Sequence, residues 1–226
     1  MTEPQAGDSP APLVRFDITT THVEIRGEQF SIVHPKDAET LIDEAAFRRD
    51  ERLPYWADVW PASVALARAV RAMDGAEKTL LELGCGVGLV ATAALRAGFD
   101  VTATDYYEDA LAFARLNCAA HSDHSLKTTI LDWRHLPDAI QAFDVVAAAD
   151  VLYERAYGPV VARTIATTLT EGGRALIADP GRVGSPAFFD ALHNVGLRHV
   201  GASVVKVPLN GRDHSITVHE VGHQVA

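Results

Sequence analysis

From residue 79 onwards, short apolar runs alternate with longer stretches that carry one apolar face, which predicts strands alternating with helices. Five strands are predicted at 79–83, 100–105, 126–131, 143–148 and 173–178. The helices are predicted at 89–97, 108–119, 155–169 and 186–194. Two further strands, near 198–207 and 213–221, flank Asn210-Gly211, a strong hairpin signal. This order is typical of an α/β fold with a doubly wound, mostly parallel seven-stranded sheet.

The residues before 79 show a weaker pattern of apolar and polar positions. Short runs that favour strand occur at Leu13–Ile18, His22–Ile25 and Gln29–Val33, so we expect an N-terminal β extension with a hairpin turning near Gly27. Asp37 can cap a helix over 38–47, and another helix is predicted over 62–73.

The chain has 226 residues, enough for one α/β domain. Residues 1–12 are rich in Pro, Gly, Ser and acids and are expected to be a disordered tail, with a single domain over 13–226. No apolar stretch approaches membrane-span length and no signal peptide is evident, so no membrane association is expected. Cys85 and Cys118 fall in a glycine turn and a predicted helix, which disfavours a disulfide and favours a cytoplasmic location.

The net charge of −10 argues against a nucleic-acid partner, because phosphate backbones require clustered Lys and Arg and no basic stripe is present. An acidic surface favours a cationic partner, although many proteins are acidic without such a role. The charge therefore excludes more than it specifies.

The first predicted strand runs into a glycine turn, Glu82-Leu83-Gly84-Cys85-Gly86-Val87-Gly88. Glycines are needed where the backbone takes positive φ or where a ligand approaches the main chain. Asp105 ends the next strand, at a spacing that suits a carboxylate binding the ribose hydroxyls of a nucleotide on the turn. A ligand-free βα turn would explain the glycines, but it leaves Glu82 and Asp105 together unexplained.

The spacing of the glycines distinguishes between cofactors. Dinucleotide enzymes use G-x-G-x-x-G, whereas here Leu89 occupies the third slot and the glycine comes one residue early. A carboxylate at Glu82 would repel a pyrophosphate but suits the ammonium of a methionine moiety. The pattern E-x-G-x-G-x-G resembles motif I of class I methyltransferases, which have a Rossmann-like fold, and implies S-adenosyl-L-methionine (SAM) as cofactor.

In an open parallel sheet, ligands bind beyond the carboxyl ends of the strands. Candidate residues there are Asp132-Trp133, Asp150 to Tyr153, and Asp179 to Arg182. Asp132 and Trp133 could contact an adenine ring, or could be a turn acid and a core tryptophan. Asp150 could orient a methyl acceptor, or it could be a loop acid that caps the following helix.

Three elements together resemble the family of seven-stranded protein-lysine methyltransferases: Trp60-Pro61, Asp132-Trp133 and the Asp-x-x-Tyr of Asp150 to Tyr153. Within the family, Pro54-Tyr55-Trp56-Ala57 and Asp179-Pro180-Gly181-Arg182 are most similar to the branch that methylates the β subunit of electron transfer flavoprotein. The resemblance covers about residues 54–185.

The resemblance implies a role for each matched residue. Trp60 would cover the SAM pocket, although it could also be a plain core aromatic. Glu82, Gly84, Gly86 and Gly88 would hold the methionine end. Asp105 would bind ribose, and Asp132 with Trp133 would flank adenine. Asp150 and Tyr153 would face the methyl acceptor and act as the catalytic pair, with no metal involved.

The expected function is therefore SAM-dependent N-methylation of a lysine side chain in a protein, with the electron transfer flavoprotein β subunit as a candidate partner. A small-molecule amine N-methyltransferase on the same scaffold and an inactive SAM-binding module are the alternatives. His219-Glu220-Val221-Gly222-His223 spells the zinc-protease motif H-E-x-x-H, but that motif requires a helix and here falls at the end of a predicted strand.

Overall fold

The structure is a computed structural model that describes residues 13–41 and 53–224. Nine strands are found in that part: β1 Ile18–Ile25, β2 Glu28–Pro35, β3 Thr79–Leu83, β4 Asp100–Asp105, β5 Lys127–Ile130, β6 Phe143–Ala149, β7 Leu169–Asp179, β8 Leu197–Leu209 and β9 Arg212–His223. The α-helices are α1 Pro61–Arg71, α2 Leu89–Arg96, α3 Glu108–His121, α4 Tyr157–Thr168 and α5 Ser185–Leu192. Short 3-10 helices occur at Leu13–Arg15, Glu39–Leu41, Tyr55–Ala57 and His193–Val195.

Strands β3 to β9 form one sheet in the order β5-β4-β3-β6-β7-β9-β8, which confirms the predicted doubly wound architecture. Strands β3 to β7 pair in parallel, and β9 runs antiparallel between β7 and β8. The centre of the sheet is apolar because both faces are covered. Helices α1 to α3 pack on one face and α4 and α5 on the other. Among the described helices, none is long and apolar enough to cross a membrane.

The N-terminal β extension is present as a separate antiparallel sheet of β1 and β2, whose turn places Arg26 and Gly27 at positive φ, as predicted near Gly27. Asn117, fully buried on α3, links this hairpin to the glycine turn. Its amide donates to the carbonyl oxygens of Val33 and Val87, each at 2.8 Å, and its oxygen accepts from the Val33 N–H. The extension is thereby fixed against the same turn that the sequence singles out.

The prediction of a strand over Leu13–Ile18 is wrong. A 3-10 turn occupies Leu13–Arg15, and β1 begins only at Ile18. Phe16 explains the difference, since its ring packs edge-on against Phe113 at 5.3 Å and anchors the segment to α3 rather than to a neighbouring strand. Of the helix predicted over 38–47, residues Glu39–Leu41 form a 3-10 turn capped by Asp37, and the rest lies outside the described residues, as does the tail over 1–12.

Candidate functional site

A cleft of about 970 Å³, its open mouth included, lies beyond the carboxyl ends of β3, β4, β5 and β6. Of the residues that the sequence singles out, the cleft is bordered by Trp60, Glu82, Gly84, Gly86, Asp105, Asp132, Trp133, Asp150 and Tyr153. Gly88 is not among its lining residues.

The glycines of the turn have different surroundings: Gly84 and Gly86 border the cleft, whereas Gly88 lies in the core. Gly84, Gly86 and Gly88 all have positive φ. A Cβ on Gly86 would approach the carbonyl oxygen of Trp56 to 3.0 Å, so this glycine lets the segment before α1 lie close over the turn. A Cβ on Gly88 would lie 2.6 Å from Cα of Ala114, so Gly88 permits α2 and α3 to pack together rather than leaving room for a ligand.

Glu82 is a charged group in an apolar strand. It is 2% exposed, and its Oε2 atom has no hydrogen-bond partner among the described residues. Burial raises the pKa of this carboxyl well above its usual value, and the nearby Asp105 charge raises it further, against a hydrogen bond from the Ala91 backbone that lowers it. The Oε2 atom therefore has the capacity to accept a hydrogen bond from a ligand in the cleft.

Asp105, at the end of β4, is buried and fixed by the main chain. One carboxylate oxygen accepts from the N–H of Gly86 at 3.0 Å, and the other accepts from the N–H of Tyr107 at 3.1 Å. The carboxylate therefore joins the glycine turn to the start of α3. It borders the cleft next to the turn, which is the position that the spacing in the sequence predicts.

Asp132 and Trp133 follow β5 and differ in how their polar atoms are satisfied. The Arg134 side chain binds both oxygens of Asp132, with an Nη2 to Oδ2 distance of 2.8 Å, and these hydrogen bonds hold the pKa of Asp132 well below its usual range. The indole Nε1 of Trp133 is buried and finds no acceptor among the described residues. Trp133 thus brings a spare donor to the cleft, whereas Asp132 is already engaged.

Asp150 lies after β6 in the left-handed region, with φ 58°, and its side chain is 7% exposed. Arg182, from the loop after β7, binds it through two parallel hydrogen bonds: Nε to Oδ1 at 2.6 Å and Nη2 to Oδ2 at 3.0 Å. The same guanidinium lies over the Trp60 ring, 5.7 Å from its centroid. Asp150 is therefore not the cap of the following helix, which begins at Tyr157.

Five aromatic side chains follow one another around the cleft, and we call them the aromatic rim. In order they are Trp60, Tyr55, Tyr153, Tyr157 and Trp133, with ring centroids of successive members separated by 6.1, 5.3, 5.3 and 6.1 Å. All five border the cleft. Trp60 is held by a 2.7 Å hydrogen bond from its Nε1 to the carbonyl oxygen of Tyr55. The rim gives the cleft an apolar wall between Trp60 and Trp133.

Comparison with known proteins gives a family for this arrangement. A family model described as lysine methyltransferase matches residues 47–194, which is more than half of the chain. The chain belongs to the lysine methyltransferase family. The match includes every predicted site residue and excludes the β1–β2 hairpin and the β8–β9 pair.

Two curated relatives of this family member illustrate its range. It is 32% identical over 133 residues to the electron transfer flavoprotein beta subunit lysine methyltransferase of Danio rerio, covering 57% of this chain and 51% of the relative. It is 31% identical over 105 residues to the histone-arginine methyltransferase METTL23 of Homo sapiens, covering 42% and 54% respectively. The chain thus spans about half the length of the curated relatives that it matches.

The fold of this lysine methyltransferase family member is also found among solved structures. Magnesium protoporphyrin IX methyltransferase of Synechocystis, crystallised with bound SAM, superposes with a TM-score of 0.58 at 16% identity. The superposition covers 83% of this chain and 98% of that chain. It shows the class I methyltransferase fold, as the sequence predicts.

Several residues that the fold brings to the cleft have little signal in the sequence. Tyr55 and Trp56 stand out in the sequence only as part of the Pro54-Tyr55-Trp56-Ala57 motif. Tyr157 has no signal beyond its place near the start of a predicted helix. Asp58 also borders the cleft, and burial raises the pKa of its carboxyl. The pairing of Arg182 with Asp150 has no local signal, because it joins two loops 32 residues apart.

The H-E-x-x-H motif lies on β9 and takes part in the sheet. His219 contacts His199, with 3.2 Å between Nδ1 and Nε2, and packs against Phe189, whereas His223 approaches the carbonyl oxygen of Leu169 at 3.2 Å. The helical geometry that a zinc protease requires is therefore replaced by strand geometry. Within 13–41 and 53–224, no group of three or more His, Cys, Asp or Glu side chains is arranged to hold a metal ion.

Proposed function

We propose that this protein transfers a methyl group from SAM to the side-chain nitrogen of a lysine in a protein. The observation that carries the proposal is the presence in one cleft of two carboxyl groups at the glycine turn: Glu82, whose Oε2 has no partner among the described residues, and Asp105. The lysine methyltransferase family match over 47–194 supports the same conclusion.

The lining of the cleft fits SAM group by group. Glu82 offers a buried oxygen without a partner, which suits the methionine ammonium. Asp105 offers a carboxylate beside the turn for the ribose hydroxyls. Gly84 and Gly86 give the turn its positive φ where it borders the cleft, and Trp133 offers an apolar ring for adenine whose N–H has no acceptor among the described residues. Asp132 would assist there while remaining bonded to Arg134.

When bound, SAM supplies an electrophilic methyl group on a sulfonium, so that an N–C bond forms as the C–S bond breaks, S-adenosylhomocysteine leaves and the proton of the amine passes to solvent. The protein has to hold the acceptor nitrogen in line and keep its lone pair free. Asp150, at the end of β6, would orient the incoming amine. Tyr153 and the rest of the aromatic rim would pack around the aliphatic stem and exclude water.

The acceptor that we propose first is the β subunit of electron transfer flavoprotein, which is named as the target of the Danio rerio relative. The net charge of −10 favours a partner that presents a basic side chain and disfavours a nucleic acid. We also propose a cytoplasmic location, because Cys85 and Cys118 are both unpaired thiols, as in a reducing compartment.

The test is to incubate the protein with methyl-labelled SAM and recombinant electron transfer flavoprotein, and in parallel with a cell extract. Labelled protein that yields methyl-lysine on mass spectrometry supports the proposal, and label in the β subunit supports the specific acceptor. Methyl-arginine, or label found only in small molecules, would refute lysine as the acceptor. SAM binding in calorimetry without any transfer would indicate an inactive binding module. Asp105→Ala serves as the inactive control.

A further inference from the structure

The Asp150–Arg182 pair lies at the cleft with its carboxylate buried and its guanidinium partly exposed, the Arg182 side chain being 38% exposed. The Asp150 side chain is 7% exposed, and both of its oxygens accept hydrogen bonds from Arg182. The hydrogen bonds to Asp150 raise the pKa of the Arg182 guanidinium, so the arginine stays charged. The pair therefore has no net charge, although it presents a carboxylate to the cleft.

The loop after β7 is built to hold Arg182 in place. Asp179, 3% exposed, accepts from the N–H of Gly181 at 2.8 Å, from the N–H of Arg182 at 3.2 Å and from the hydroxyl of Ser185 at 2.6 Å. A Cβ on Gly184 would lie 2.6 Å from the carbonyl oxygen of Leu152, so the loops after β6 and β7 pack main chain to main chain. These contacts fix the guanidinium relative to the carboxylate.

The charges around the acceptor site determine whether a bound amine keeps its proton. Groups that face the Arg182 guanidinium are the Asp150 and Asp179 carboxyls, from the loops after β6 and β7, and the Tyr55 phenol, from the segment before α1. Further titratable groups border the same cleft: Asp58 before α1, Glu82 on β3, Cys85 in the glycine turn, Asp105, Tyr106 and Tyr107 at the end of β4 and after it, Asp132 after β5, and Tyr153 and Tyr157 after β6. A lone carboxylate at Asp150 would favour the ammonium form of lysine, which cannot attack a methyl group.

We propose that Arg182 is a positioning residue that holds the Asp150 carboxylate and cancels its charge, so that Asp150 orients the acceptor amine without stabilising its protonated form. The inference rests on the proposed function, because it concerns the lysine acceptor of that reaction. The Trp60 ring also lies against the Arg182 guanidinium, 5.7 Å from the ring centroid, and helps to hold its orientation.

The test is the pH profile of kcat, measured between about pH 6 and 10 with electron transfer flavoprotein and saturating SAM, because this profile reports ionisations in the loaded complex. Two single variants change the net charge of the pair in opposite senses, and the double variant leaves it neutral. Arg182→Met leaves a negative charge and is expected to move the rising limb up by about one pH unit, whereas Asp150→Asn leaves a positive charge and is expected to move it down by about the same amount. The double variant restores neutrality, and its limb is expected within roughly 0.3 unit of the wild type.

A purely structural role for Arg182 would lower kcat at every pH without moving the limb, and limbs that coincide in all three variants would overturn the inference. If Arg182→Met does not fold, Asp150→Asn and the double variant still decide between opposite expectations. Should the wild-type protein methylate no lysine, the proposed function fails and the inference falls with it. If the wild type transfers methyl groups to lysine but the rising limb does not move in the variants, only the inference about Arg182 is refuted.

Discussion

The sharpest consequence of the site is that Glu82 should destabilise the free protein while it strengthens cofactor binding. The Glu82→Gln substitution keeps the shape of the side chain and removes its charge. Because burial raises the pKa of Glu82, the folded wild type at pH 7 retains a proton that the unfolded chain releases, at a cost of about 1.4 kcal/mol for each pH unit between the unfolded pKa and the folded pKa. Part of this cost is relieved in the variant, so its thermal midpoint at pH 7 should rise by roughly 3–10 °C.

The stability that Glu82→Gln gains over the wild type should increase with pH. The pKa of Glu82 is raised by folding, chiefly by burial, so above the unfolded value the unfolded chain releases a proton that the folded protein retains. The stability of the wild type is therefore full below the unfolded pKa, near ~4.3, and declines as pH rises towards the folded pKa by up to about 1.4 kcal/mol per unit. Glutamine does not titrate, so the advantage of Glu82→Gln should vanish near pH 4 and grow towards pH 7.

With SAM bound, the wild type should be more stable than Glu82→Gln. Loss of a charge-assisted hydrogen bond costs about 1.5–3 kcal/mol, so the dissociation constant should increase by roughly 10- to 100-fold. At a SAM concentration about 100 times the wild-type dissociation constant, the wild type gains ~2.7 kcal/mol, whereas a variant with 100-fold weaker binding gains only about 0.4 kcal/mol.

The assay is thermal unfolding of both proteins at several pH values, with and without SAM, together with calorimetry of SAM binding. Glu154→Gln is the matched control, since Glu154 follows Tyr153 but is exposed, and it should change neither quantity. A Glu82→Gln protein that is less stable than the wild type at pH 7 without SAM, or that binds SAM equally well, would refute the reasoning.

The remaining predictions concern binding, turnover and packing. Asp105→Ala should abolish SAM binding in calorimetry, whereas Asp150→Ala should retain it and lose turnover by at least ~100-fold in single-turnover assays, because the acceptor loses its orientation; wild-type turnover would disprove the assignment of Asp150. Gly88→Ala forces a Cβ to within 2.6 Å of Ala114 at φ 84°, so differential scanning calorimetry should show a loss of about 3 kcal/mol. Gly172→Ala, with similar φ and open space, should lose only ~1 kcal/mol, and equal losses would contradict the packing argument.

Much of this fold was predictable because its signals are local. Leu80, Leu81 and Leu83 form an apolar run that marks a strand buried on both faces, and the glycines that follow mark the turn. Asp105 was predictable from its distance along the chain to that turn. The prediction of a strand over Leu13–Ile18 was wrong because packing of Phe16 on α3 overrode a weak preference for strand.

Other features were not predictable, since they depend on which strands become neighbours. Gly88 belongs to the glycine motif, yet its role depends on Ala114, which reaches it only when α2 and α3 pack together. Likewise the sequence pointed to Asp132 as a carboxylate for adenine, but the Arg134 side chain two residues later engages both of its oxygens. In each case a motif gave the position of a residue but not its partner.

The Asp150–Arg182 pair shows why partners matter for function. Pairing of β6 with β7 brings together the loops that carry these residues, and the buried Asp179 carboxylate then sets the loop that presents the arginine. From the sequence alone Asp150 is a negative charge that awaits an ammonium group, whereas in the fold its charge is already neutralised. Since a neutral pair can orient an amine without holding its proton, the acceptor chemistry that we propose depends on the adjacency of two strands rather than on either motif.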